Sequence, residues 1–309
     1  LPTVVKNLRS IVAMAVLFVV VQLAAIAFME FALTPEDRAF ENPGDPLIAF
    51  YYVLLMIGFT AVFIVLIKYG KENLLKAVMF MSIGFVLFFV CLVLLAQILN
   101  AELLIIILAV AISAISVYAL WTYPEWYVVD SVGILMAIGI VALLGISLSV
   151  LPVLLLLSAL AIYDFIAVYK TKHMLTLADG VADMGLPMIL VVPKKLPYSY
   201  REKRPKIAAE SKEEREAFLM GLGDIIIPGL LPASAFWFID TEKVLLGIDG
   251  NLFVALGAVI GGLCAFLFLM RLVNKGNPQP GLPFLNVGVI VGYVVAYLVV
   301  FGTDLSQLI

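Results

Sequence analysis

Two aspartates sit in stretches too apolar to hold a carboxylate without a reason. Asp164 lies in Ala161-Ile-Tyr-Asp-Phe-Ile-Ala-Val168, and the first cation after it is Lys170. Asp224 lies in Gly221-Leu-Gly-Asp-Ile-Ile-Ile227, nine residues beyond Arg215. An ionisable side chain inside a spanning helix costs at least about 2.5 kcal/mol on insertion scales, so each one calls for an explanation. If the two segments are antiparallel helices rising about 1.5 Å per residue, the acids lie about 9 Å and about 13 Å from the same face. Two carboxyl groups brought together at low dielectric cannot both ionise; they share a proton, one acting as acid and the other as base. Such a pair can activate water against an amide. On the acids alone, a proton relay or cation site in a proton-coupled transporter or ion channel ranks first, because buried acids are common there.

Their neighbours favour a site. Gly221 and Gly223 flank Leu222 and strip side chains from around Asp224, so another backbone can approach; inside a helix each glycine would cost about 1 kcal/mol relative to alanine. Gln279-Pro-Gly-Leu-Pro283 opens the last apolar segment. Its prolines prevent a regular first turn and expose main-chain groups able to hydrogen-bond an extended peptide. Glu30, Lys76, Glu102 and Asp240 fall near the ends of apolar segments, where the headgroup region accommodates charge, and Asp130 reads as interfacial or structural for the same reason.

The elements that must position these residues are set by an unusual composition. Of 309 residues, 64% are hydrophobic and 13% charged, far from the roughly 45 to 50% and about 25% of a soluble chain. The mean hydropathy of +1.15 means the surface itself must be apolar and face lipid. A polytopic membrane protein follows, with an all-α architecture. A window of about 20 apolar residues finds nine spans. They cover 11–34, 47–67, 74–98, 102–121, 128–147, 149–169, 217–239, 252–273 and 281–302. The first is too long for the apolar region of a signal peptide and reads as a helix. The chain then divides into a six-helix part (1–169), a cytoplasmic loop (170–216) and a three-helix part (217–309) of one membrane domain. Within the loop, 184–192 is apolar and reads as a strand closed by Pro193, whereas 194–216 is dense in charge of both signs.

Of the 19 Lys and Arg, 17 fall on the side of the N-terminus and the even-numbered loops; only Arg38 and Lys243 fall opposite. The positive-inside rule puts the N-terminus in the cytoplasm and the C-terminus outside. A net charge of −3 gives no argument for nucleic acid. Cys91 and Cys264, both deep in apolar runs, read as small packing residues with no metal or disulfide pattern.

Taken together, Tyr163-Asp164, Gly221-Leu222-Gly223-Asp224 and Pro280-Gly281-Leu282 resemble the Tyr-Asp, Gly-x-Gly-Asp and Pro-Ala-Leu motifs of the presenilin and signal peptide peptidase superfamily of intramembrane aspartyl proteases. They occur in family order on the sixth, seventh and ninth spans, with Gly281 in place of the family's alanine. Gln279 and Ile225 to Pro228 are more similar to signal peptide peptidases, and Tyr163 to Val168 to presenilin. The 17 to 2 charge split matches the presenilin orientation, and the short loops resemble compact microbial homologues that work without accessory subunits.

The resemblance implies an endopeptidase that needs no cofactor and no metal, with Asp164 and Asp224 catalytic. Tyr163, Gly221, Leu222, Gly223, Pro280, Gly281 and Leu282 would form the motif and position the substrate. The substrates implied are single-span membrane proteins within a microbial cell membrane. Main-chain groups at Pro280 to Leu282 and a strand such as Leu186 to Val192 would receive the unwound substrate by strand addition. The motif order and the Pro280 element rank this reading above a transporter.

Overall fold

The computed structural model describes residues 8–69, 71–167, 189–195, 198–200, 217–245, 247–273, 280–302 and 304. Nine α-helices lie among the described residues. They are α1 (Leu8–Ala32), α2 (Pro46–Lys68), α3 (Glu72–Ala96), α4 (Glu102–Thr122), α5 (Trp126–Ser147), α6 (Val150–Ile166), α7 (Gly223–Phe238), α8 (Gly250–Val273) and α9 (Gly281–Phe301). Two antiparallel strand pairs accompany them, β1 (Ile189–Pro193) with β2 (Ala217–Gly221) and β3 (Val244–Leu245) with β4 (Ile248–Asp249). Among the described residues, seven helices are long and apolar enough to cross a membrane. The two shorter ones, α6 with 17 residues and α7 with 16, carry Asp164 and Asp224.

The chain packs as two units. The first comprises 1–53, 140–171 and 223–309; the second comprises 54–139 and 172–222. In the first, Phe18 of α1 stacks on Phe266 of α8 with ring centroids 5.8 Å apart. Small residues bring α8 and α9 together: a Cβ on Gly257 would strike Ala296, and one on Gly261 would strike the Gly288 carbonyl. The reciprocal contacts of Gly288 and Gly292 complete a Gly-x-x-x-Gly seam on each helix.

The turn from α5 to α6 is only two residues long, because its neighbours satisfy its polar groups. Ser149 N–H donates to Pro43 O (2.9 Å), Ala39 N–H donates to Ser147 Oγ (2.8 Å), and Ser234 Oγ donates to Leu148 O (2.8 Å). Pro152 falls in the first turn of α6, where its missing N–H is no loss.

In the second unit, Leu75, Met79, Ile83 and Leu87 of α3 form a core with Leu120 of α4 and Val129 and Val132 of α5. Val191 of β1 and Ala217 of β2 are buried in the same core, so the strand pair is packed on helices and not left in solvent.

Two expectations from sequence are corrected, and a third falls partly outside the described residues. Residues 217–221 are strand, not the first turns of the seventh helix: they pair with 189–193 in the register Ile189 to Gly221, Val191 to Leu219 and Pro193 to Ala217. Gly221 and Gly223 are poor helix formers and disfavour propagation upstream, and the pairing with β1 decides for the strand. Neither glycine lies in a helix interior; Gly223 opens α7 and Asp224 is its second residue. Of the two cysteines, Cys91 is buried but Cys264 is exposed, so it is no packing residue. The loop strand is found only in part: 189–192 of the expected 184–192 form β1, with Pro193, and 184–188 lie outside the described residues.

Candidate active site

Three helix ends supply the site, all in the first unit. Asp164 is in the last turn of α6, two residues before its end. Asp224 is in the first turn of α7, and Gly281 and Leu282 are the first two residues of α9. Helix ends have main-chain groups without partners in their own helix, so polar chemistry gathers there.

Pro280 is the N-cap of α9 in an extended conformation (φ −65°, ψ 129°), and no side chain of its own caps the helix. The cap comes instead from another helix: Leu282 N–H donates to Asp164 Oδ2 at 3.2 Å. Asp164 is 3% exposed. A carboxylate in the last turn of α6 faces the negative end of that helix, and the N-terminal end of α9 offsets this. Asp224 lies against the neighbouring residue of the same turn. A Cβ built on Gly281 would be 2.7 Å from Asp224 Oδ1 and 3.0 Å from its Cγ. The two acids are thus brought to successive residues of one main-chain turn. Both belong to the pattern read from sequence, as do Pro280, Gly281 and Leu282.

Tyr163 precedes Asp164 in α6 and is half-buried. Gly221 ends β2, Leu222 is buried, and Gly223 is exposed at the start of α7. Gly221 and Leu222 belong to the second unit and are joined to Asp224 through the chain. Further along α7, Pro228 cannot donate to the Asp224 carbonyl, nor Pro232 to the Pro228 carbonyl, so this helix lacks two of its regular bonds.

Three polar residues in apolar spans or at their ends hold neighbouring elements, and only Asp130 among them stands out in the sequence. Asn286, fully buried one turn after Leu282, donates from Nδ2 to Leu157 O of α6 at 2.8 Å and ties the two helices that hold Asp164 and its N–H donor. Its only sequence signal is a lone amide four residues after Leu282. In the second unit, Asp130 Oδ1 accepts from Val191 N–H at 2.8 Å, so this acid holds a strand as well as being buried. Glu125, just before α5, accepts from Ser199 Oγ (2.7 Å) and Tyr200 N–H (3.0 Å).

Residues 15–302 match the model of the family described as signal-peptide peptidase, presenilin aspartyl protease. Two solved structures, each titled as a presenilin family intramembrane aspartate protease, are similar over nearly their whole length. One, in space group C222, is 29% identical, covers 94% of this chain and 99% of its own, and superposes with a TM-score of 0.69. The other, in space group P2, is 32% identical, covers 93% and 97%, and gives 0.61. No curated protein sequence matches the chain.

Proposed function

Because the chain belongs to the signal-peptide peptidase and presenilin aspartyl protease family, we propose that it is an endopeptidase of the Gly-x-Gly-Asp type. It hydrolyses peptide bonds in membrane-spanning segments of other proteins, and Asp164 and Asp224 are its catalytic pair. The observation that carries this reading is the convergence of both carboxylates on Gly281 and Leu282 of one helix start.

In the proposed mechanism the pair shares one proton. The ionised member takes a proton from water as the water oxygen attacks the scissile carbonyl carbon. The protonated member gives its proton to the carbonyl oxygen, and collapse of the tetrahedral intermediate passes a proton to the leaving nitrogen. Two products result, a new carboxyl terminus and a new amine, with one water consumed.

A helical substrate hides its carbonyls in its own hydrogen bonds, so it must unwind, and its main chain then needs new partners in lipid. Main-chain groups at Pro280 to Leu282 are one set. The strand pair is another, and its polarity supports one edge over the other. In an antiparallel pair, successive residues direct N–H and C=O alternately toward and away from the partner. Val191 donates to Asp130 and so points away from β2; its register partner Leu219, with Ala217 and Gly221, points away from β1. That outer edge of β2 runs along the chain into Asp224, and we assign it as the substrate edge.

The span count and orientation belong to the same reading: nine spans, N-terminus in the cytoplasm, C-terminus outside. The charge split supports it. So do the bonds from Glu125 and Asp130 to residues 191–200, which bring the fourth and sixth loops to one face. Substrates are single-span proteins, and accessory subunits are not needed. The test is to incubate purified chain in detergent with a single-span substrate and, separately, to assay proton-driven uptake in liposomes. Peptide products support the protease; uptake without products would support a transporter.

A further inference from the structure

Asp130 is a buried acid in a span, 7% exposed, that the proposed chemistry does not use. Among the described residues, its hydrogen-bond partner is the Val191 N–H on the outer side of β1. Two residues on, Pro193 ends the strand and has no N–H to offer. The outer edge of β1 therefore has one of its donors taken by a side chain and another missing. A second tether follows: Glu125, five residues before Asp130, holds Ser199 and Tyr200 by the chain leaving β1. Tyr200 is itself fully buried. An acidic side chain is a costly way to satisfy one N–H in a buried core. What it supplies is an oxygen at the position where a neighbouring strand would place its carbonyl.

We infer that Asp130 is a positioning residue that closes the outer edge of β1, so that an unwound substrate extends this sheet only along β2, the strand that leads to Asp224. An unpaired edge is a template for any extended chain. With both edges open, a substrate could also pair with β1, on the far side of that strand from the one that continues along the chain into Asp224, and be bound unproductively. Closing one edge converts binding into productive binding. This role rests on the protease reading above, and specifically on strand addition at β2.

The test compares Asp130→Asn, which keeps an oxygen acceptor, with Asp130→Leu, which does not. Each is measured for kcat, KM and cleavage positions on a single-span substrate by mass spectrometry. Hydrogen exchange at the Val191 amide is followed in the same variants on an Asp164→Asn background, where no turnover is needed. Asp130→Leu should raise KM by about 10-fold, with a smaller change in kcat, spread the cuts over more positions and speed Val191 exchange. Asp130→Asn should keep KM, the cut pattern and the slow exchange.

Wild-type KM and products in Asp130→Leu, equal losses in both variants, or Val191 protection that survives in Asp130→Leu would each overturn the assignment. If Asp130→Leu fails to fold, Val191→Pro removes the same bond from the donor side and should reproduce the KM and cut-site changes; unchanged values there would also overturn it. Failure of the unaltered chain to cleave would count against the protease reading, and the exchange measurement would still decide whether Asp130 holds the strand.

Discussion

Gly281 has no side chain at the one place where a methyl group would strike the Asp224 carboxylate, 2.7 Å away. The family's alanine differs from this glycine by that one methyl group, and the carboxylate must turn to admit it. Gly281→Ala should therefore keep the fold, with Tm within about 2 °C, and lower kcat about 10-fold, since a misplacement near 1 Å is costly at a reacting centre. Michaelis parameters and thermal denaturation of the purified variant check this. Asn286→Leu removes the tie from α9 to α6 and should lower kcat about 10-fold, with a smaller effect on KM. An unchanged kcat would make Asn286 a packing residue. Asp164 and Asp224 are legible from sequence because an acid in a long apolar run has few explanations. The roles of Asn286 and Asp130 are not, because each depends on one main-chain atom, Leu157 O or Val191 N–H, that lies far away in sequence.

At the scale of elements, apolarity marks the helices well, but it does not separate a strand from a helix where both are buried. Ala217 to Gly221 is apolar enough for either, and only its pairing with Ile189 to Pro193 decides for the strand. The consequence is that Asp224 sits at the mouth of a helix and not inside one, three residues after a strand ends. Leu219→Pro should test the outer edge of that strand: it removes an outward N–H and leaves the bonds to β1 in place. KM should rise about 5- to 10-fold by loss of one main-chain bond to the substrate, with the fold retained; no change in KM would remove β2 as the substrate edge. The α8 to α9 seam makes a contrasting prediction. Gly261→Val would force apart two backbones in contact at Gly288 and Gly292. Overpacking of this kind costs about 1 to 3 kcal/mol or more, so Tm and activity should fall together.

For the molecule as a whole, composition and charge already give a multi-pass membrane protein, and the family match and solved relatives agree with it. What composition cannot give is that two short helices, α6 and α7, carry the acids, or that a third helix start caps one of them; those depend on which ends meet. In the proposed orientation both acids lie in the cytoplasmic half, so substrates with the N-terminus outside should be cut nearer their cytoplasmic end. Gly, Pro or β-branched residues near the cut should speed cleavage by easing unwinding. Presenting one helix in both orientations in cells and mapping its products would show this, and a preference for the inverted helix would reverse the topology. Whether Asp164 and Asp224 together hydrolyse peptide bonds is decided by one comparison. The unaltered chain, Asp164→Asn and Asp224→Asn are purified and incubated with the same single-span substrate, and products are read by mass spectrometry. Defined peptides are expected from the unaltered chain and none from either folded variant; appreciable cleavage by either variant would rule out the pair.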